Sequence, residues 1–121
     1  MIENPTQSSK LLGTLKYVVE LLVAGKYDAI ESFSNGVRLK AEHMRASVGE
    51  YGRTLVLPNA SQYEQADVVV IDGEDPLQYS IRFRLYTSEE GQSDLEIQAT
   101  FIDQDSESTL MQVEVDGILV A

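Results

Sequence analysis

The chain changes character near residue 60, from helix-period sequence with balanced charge to strand-period sequence that is strongly acidic. Residues 1–60 hold six acidic against seven basic side chains, whereas residues 61–121 hold fourteen acidic against two basic ones, Arg82 and Arg84. Helical patterns followed by a run of strand patterns indicate an α+β fold, with helices on one face of an antiparallel sheet, and argue against alternating βαβ units. At 121 residues the whole chain, 1–121, reads as one domain able to bury a single core without staples.

The helical half contains three segments. Leu11, Leu12, Leu15, Val18, Val19, Leu22 and Val23 recur at helical spacing, so a helix is expected over Ser9–Ala24, with Gly25 as its stop. Asp28 with Glu31 three residues later has the form of a capping box and marks a short second helix, ending by Ser34-Asn35-Gly36. Ala41, Met44, Val48 and Tyr51 place a third helix over Leu39–Tyr51, terminated by Gly52.

Beyond Gly52 the period becomes two. Thr54–Leu57, closed by Pro58-Asn59, and Asp67–Ile71 read as strands. Leu77, Tyr79, Ile81, Phe83 and Leu85 alternate with polar neighbours, as do Leu95, Ile97, Ala99 and Phe101, then Met111, Val113 and Val115. These three runs predict an antiparallel meander over Leu77–Tyr86, Leu95–Ile102 and Leu110–Val120, with a bulge at Gly117. Keeping apolar residues on one face pairs Phe83 with Ile97, Arg84 with Glu96 and Arg82 with Gln98. Pairing Ala99 with Val113 then extends the charged rows to Glu114 and Asp116.

The formal net charge of −11 opposes nucleic acid and anionic membranes, which need a basic footprint, and leaves a basic protein as the partner that charge would favour. Absence of cysteine suits a reducing compartment. Met1–Lys10 lacks the apolar stretch of a secretory signal, and no apolar run approaches the ~20 residues of a membrane span, so a cytoplasmic location is expected.

The order of long helix, short helix, third helix and meander resembles the nuclear-transport-factor-like superfamily, the cystatin-like α+β cone. Val18-Val19-Glu20-Leu21-Leu22-Val23-Ala24-Gly25-Lys26-Tyr27-Asp28-Ala29-Ile30 is similar to the helix junction of its small bacterial members, and Met111–Val120 is similar to their last strand. Gly36-Val37-Arg38-Leu39 and Tyr51-Gly52-Arg53-Thr54-Leu55-Val56 resemble an uncharacterised bacterial branch. The resemblance implies that the sheet is curved into a cone. It also implies a homodimer formed through the outer sheet face, with Arg82, Arg84 and Glu96 as polar contacts and Tyr86 and Ile102 as apolar anchors.

Enzymes on such a cone place acids, histidines or tyrosines inside it. Here the inner strand positions are apolar apart from Tyr79, with Tyr17 of the first helix as a second pocket candidate. The lone histidine, His43, falls on the polar side of the third helix. Asp103-Gln104-Asp105-Ser106-Glu107 lacks the glycine at position six of an EF-hand loop, and Asp72-Gly73-Glu74-Asp75-Pro76 reads as a turn. No catalytic residue, metal site or cofactor is therefore expected. The leading expectation is a non-enzymatic domain acting through protein contact or oligomerisation. A small-molecule binder or isomerase-like enzyme using a cone pocket, and an acidic immunity-type inhibitor of a basic protein, are the alternatives.

Overall fold

A computed structural model describes residues 5–34, 38–71, 73, 75–104 and 107–120, with the backbone alone at 5–8. Of the segments singled out above, Met1–Asn4, Asn35, Gly36, Val37, Asp72, Glu74, Asp105 and Ser106 lie outside the described residues. Helix α1 spans Pro5–Val23 and starts four residues before the expected Ser9, since proline is tolerated at the first helical position, where no intrahelical N–H bond is required. Leu11, Leu15, Val18, Val19 and Leu22 form its buried stripe. It ends as expected at Gly25, whose φ of 72° lets the Lys26 amide donate to the Leu21 carbonyl and the Gly25 amide to the Leu22 carbonyl.

Helix α2 spans Tyr27–Phe33 and helix α3 spans Ala41–Tyr51. The capping box expected at Asp28 does not form. Lys26 occupies the cap position with no side-chain cap bond, and Asp28 lies inside the first turn. Glu31 instead accepts a 2.6 Å bond from the Ala41 amide, so a carboxylate of α2 caps α3, whose own cap residue Lys40 offers no side-chain acceptor. Gly52, at φ 71°, closes α3.

The remaining elements are β1 (Leu55–Val56), α4 (Ala60–Tyr63), β2 (Asp67–Ile71), β3 (Gln78–Thr87), β4 (Gly91–Ile102) and β5 (Gln112–Val120). They form a five-stranded sheet in the order β1-β3-β4-β5, with β2 beside β1 on the same edge of β3. The sheet is antiparallel and strongly curled, with the N-terminal helices packed on it, so the α+β expectation holds. The inner residues of β3, β4 and β5 and the stripe of α1 share one core with Ile30 and Met44. Thr14 joins the two layers. Its buried hydroxyl donates to the Lys10 carbonyl at 2.8 Å and accepts from the Met111 amide at 2.9 Å.

Strands β3 and β4 pair as parity required: Phe83 faces Ile97, Arg84 faces Glu96 and Arg82 faces Gln98. Strands β4 and β5 do not follow the expected register. Ala99 faces Val115 and Phe101 faces Val113, and beyond Asp116 the pairing resumes with Gly117 opposite Gln98. The bulge near Gly117 is present, but the register is displaced by two residues from Ala99 to Ile102 and, past the bulge, by three, with Gln98 facing Gly117 rather than Glu114. A shift of two keeps every side chain on its face, so face parity alone could not select between the alternatives.

A second irregularity lies between Arg84 and Tyr86, where the Ser93 hydroxyl donates 2.7 Å to the Leu85 carbonyl. Alternation stops there, and Leu85, Tyr86 and Thr87 are all buried. Leu77, expected on the inner face, precedes β3 and is exposed.

Candidate functional site

The inner face of the sheet is filled by its own side chains. Tyr79 is buried there among Ile81, Phe101 and Met111, and burial, helped by the charge of Asp103, raises the pKa of its hydroxyl. Tyr17 does not join it. That ring is 38% exposed and stands edge-on to Phe33 at 5.0 Å, and the clefts described below are lined by neither tyrosine.

The outer-face residues are also redistributed. Tyr86 is only 7% exposed, with its ring 6.2 Å from that of Phe83, so it offers no apolar anchor at the surface. Glu96 is 5% exposed and accepts from Arg82 Nε at 3.2 Å and from Gln98 Nε2 at 2.8 Å. Arg84 reaches Asp94 at 3.9 Å rather than Glu96. Ile102 is half-buried at the end of β4. The expected row through Glu96 to Asp116 is absent because of the displaced register. Glu114 and Asp116 are held instead by Arg38, at 3.0 and 2.9 Å, and Asp116 also accepts from the Thr100 hydroxyl. Arg38 has a φ of 71°, which a non-glycine residue rarely adopts, and a lone parallel bridge to Val115 accompanies it. Arg82, Arg84, Gln65, Asp67, Gln92 and Glu96 line a polar cleft of about 320 Å³ on this face. His43 is exposed on α3. Among the described residues no three His, Asp or Glu side chains gather as a metal site.

Sequence reasoning missed α4, where a different cleft is built. Asn59 caps this single turn: its side chain accepts from the Gln62 amide at 2.9 Å, and Gln62 Oε1 accepts from the Asn59 amide at 2.8 Å. That reciprocal pair is the capping box the chain does contain, and the Asn-x-x-Gln spacing was its available signal. The turn delivers Tyr63 into the core, where its ring stacks on Phe83 at 5.6 Å and 11°.

Leu12, Gly13 and Lys16 of α1 face Pro58, Tyr63 and Glu64 across a mainly apolar cleft of about 280 Å³. Tyr63 is 5% exposed, and its buried hydroxyl has no hydrogen-bond partner among the described residues. Leaving such a group unsatisfied costs roughly 1–3 kcal/mol. Burial first, and the charge of Glu20 second, push the hydroxyl up to about 12, so at neutral pH it keeps its proton and can donate it to a hydrogen bond. Gly13 is the other irregular feature. Glycine inside a helix costs roughly 1 kcal/mol against alanine, yet a Cβ at this position would meet nothing within 4 Å, so packing within the chain does not require it.

Among the described residues no helix is long and apolar enough to cross a membrane. No curated protein and no solved structure matches the chain. Residues 19–121 match one family, a span that takes in α4, Tyr63 and the whole sheet while Leu12, Gly13 and Lys16 precede it. The chain therefore belongs to the family described as a domain of unknown function, DUF7668.

Proposed function

We propose that the protein is a binding domain that acts through protein contact, and that it pairs with a second copy of itself along β2. The observation that carries this reading is the state of that strand. β2 pairs with β3 alone, and no described strand covers its other edge. Val68 and Val70 pack toward the core, while Val69 on the opposite face is 63% exposed. The strand carries no lysine, proline or bulge of the kind that ordinarily blunts an edge.

The five residues are also self-complementary. An antiparallel pairing about a two-fold axis at Val69 sets Val69 against Val69 of the second copy, and Asp67 against Ile71 rather than against another aspartate. Arg82, the Cα neighbour of Asp67 on β3, lowers the cost of bringing two acidic chains together. The contact thus lies on the sheet edge, away from Tyr86 and Ile102.

The order of helices and the curled sheet support kinship with the nuclear-transport-factor-like cone, and the absence of cysteine supports a cytoplasmic setting. Light scattering across micromolar concentrations tests the pairing. A dimer is expected, and Val69→Lys, which sets two like charges face to face, should weaken it by roughly tenfold. A monomer at high micromolar concentration, or a dimer indifferent to Val69→Lys, refutes the reading.

A further inference from the structure

We propose that the polar cleft on the outer sheet face is a binding site for a small zwitterion, a free α-amino acid with a polar side chain. The topology opens the cleft. β2 covers the edge of β3 as far as Arg82 and β1 takes over at Tyr86, so no strand stands opposite Arg84. The space of about 320 Å³ at this gap is lined mainly by polar groups and lies near the lower end of the size of small-molecule sites.

One wall of the cleft is a carboxylate that the protein holds in place while leaving one oxygen spare. Glu96 is 5% exposed, and its Oε2 accepts from both Arg82 Nε and Gln98 Nε2. Its Oε1 makes no hydrogen bond among the described residues, yet it is not sealed from solvent, since Tyr63 carries the sole side-chain atom among them that is both sealed and unpaired. Asp67, the Cα partner of Arg82 on β2, is exposed and makes no ion pair among the described residues, so it offers a second acceptor. Donors stand beside them. Arg82 engages Glu96 through Nε, and Arg84 stands 3.9 Å from Asp94, beyond hydrogen-bond reach, so the terminal nitrogens of both guanidiniums have no hydrogen bond among the described residues. The two arginines lie two residues apart on one face of β3, about 7 Å along the strand, and each fork fits a carboxylate.

Charge selects the ligand class. Two guanidiniums and two carboxylates line the cleft, and Asp94 stands beside Arg84, so a bare anion meets more negative than positive charge. A bare cation meets two arginines and leaves their forks unmatched. An α-amino acid satisfies both sides, with its carboxylate on the Arg84 fork and its ammonium group on Glu96 Oε1 and Asp67. The amides of Gln65 and Gln92, which donate and accept, suit a polar side chain.

The dimer reading rests on the backbone edge of β2, whereas the groups named here stand on the outer face. Light scattering and ligand binding therefore fail or succeed separately.

The test uses the full chain and three probes cut from one frame: L-asparagine, succinamate, which lacks the ammonium group, and β-alaninamide, which lacks the carboxylate. Amide chemical shifts of Asp67, Arg84 and Gln92 should move saturably with L-asparagine, and either truncated probe should bind at least roughly fivefold more weakly. Arg84→Gln should weaken L-asparagine binding by roughly tenfold. Glu96→Gln keeps an oxygen for Arg82 and Gln98 and turns an amide nitrogen toward the cleft. With the fold verified by circular dichroism, it should weaken L-asparagine by roughly tenfold without weakening succinamate. Asp67→Asn, an exposed change, should weaken L-asparagine by roughly threefold and keeps the test open should Glu96→Gln not fold. No saturable shift with L-asparagine overturns the proposal. Succinamate or β-alaninamide binding as tightly as L-asparagine overturns the assignment to a zwitterion, and L-asparagine binding indifferent to both Arg84→Gln and Asp67→Asn overturns the location.

Discussion

Two buried tyrosines, Tyr79 on the inner face of β3 and Tyr63 on the short helix α4, occupy the same core and have opposite prospects. Tyr79 is one position in a regular period-2 pattern and is enclosed by neighbouring strands. Tyr63 is delivered by an irregular turn, packs flat on Phe83 and lies beside a cleft that its own fold leaves open. Regular secondary structure satisfies its backbone polar groups and fills its space as it forms, whereas a capped turn beneath a helix can leave a buried side-chain hydroxyl unpaired. The contrast locates the candidate site outside the concave sheet face, where the resemblance to cone-shaped proteins had placed it.

The largest expected effect breaks both regions at once. Phe83 supports the Tyr63 ring and contacts Tyr86, so Phe83→Ala should lower stability by about 3–5 kcal/mol in chemical denaturation. An unchanged midpoint would show that Phe83 does not join the two regions. Asn59→Ala removes one half of the capping box and should cost about 0.5–2 kcal/mol, and amide exchange at Gln62 and Tyr63 should quicken. A variant that unfolds globally with no local loosening would show that α4 is held by Tyr63 alone.

The two hydroxyls can be separated by pH. Because the pKa of Tyr63 is raised from 10.0 to about 12 in the folded protein, the folded state holds its proton where the unfolded state loses it. The stability linked to this group is therefore complete below pH 10 and is lost as pH rises toward 12. Tyr79 is shifted in the same direction. Tyr63→Phe should shrink the alkaline loss without removing it, and at neutral pH it should leave stability equal or higher, since no hydrogen bond among the described residues is lost. A marked fall in neutral-pH stability would mean that the hydroxyl is already satisfied. The smallest effect belongs to His43→Ala, an exposed change on α3 that should stay within about 0.5 kcal/mol in chemical denaturation.

Much of the architecture was legible in the chain because burial imposes periodicity. The α1 stripe, its stop at Gly25, the strands from Asp67 onward and the Phe83–Ile97 register all follow from where apolar residues recur. Other features were settled only by contacts between distant segments. The β4–β5 register depends on the bulge at Asp116: from Ala99 to Ile102 the displacement is two residues, which leaves both faces unchanged so that parity is blind to it, and the extra residue of the bulge makes it three beyond. Glu31 caps α3 instead of its own helix because the Ala41 amide comes within 2.6 Å in the folded chain. Arg38 holds Glu114 and Asp116 across 76 and 78 residues, a pairing that no local spacing encodes. For the cleft between α1 and α4 the sequence alone supplied only hints, a glycine within a helix and an Asn-x-x-Gln turn. That these flank one cleft beside an unpaired hydroxyl was decided by tertiary packing, because a polar group's satisfaction depends on which neighbours the completed fold brings within hydrogen-bond reach.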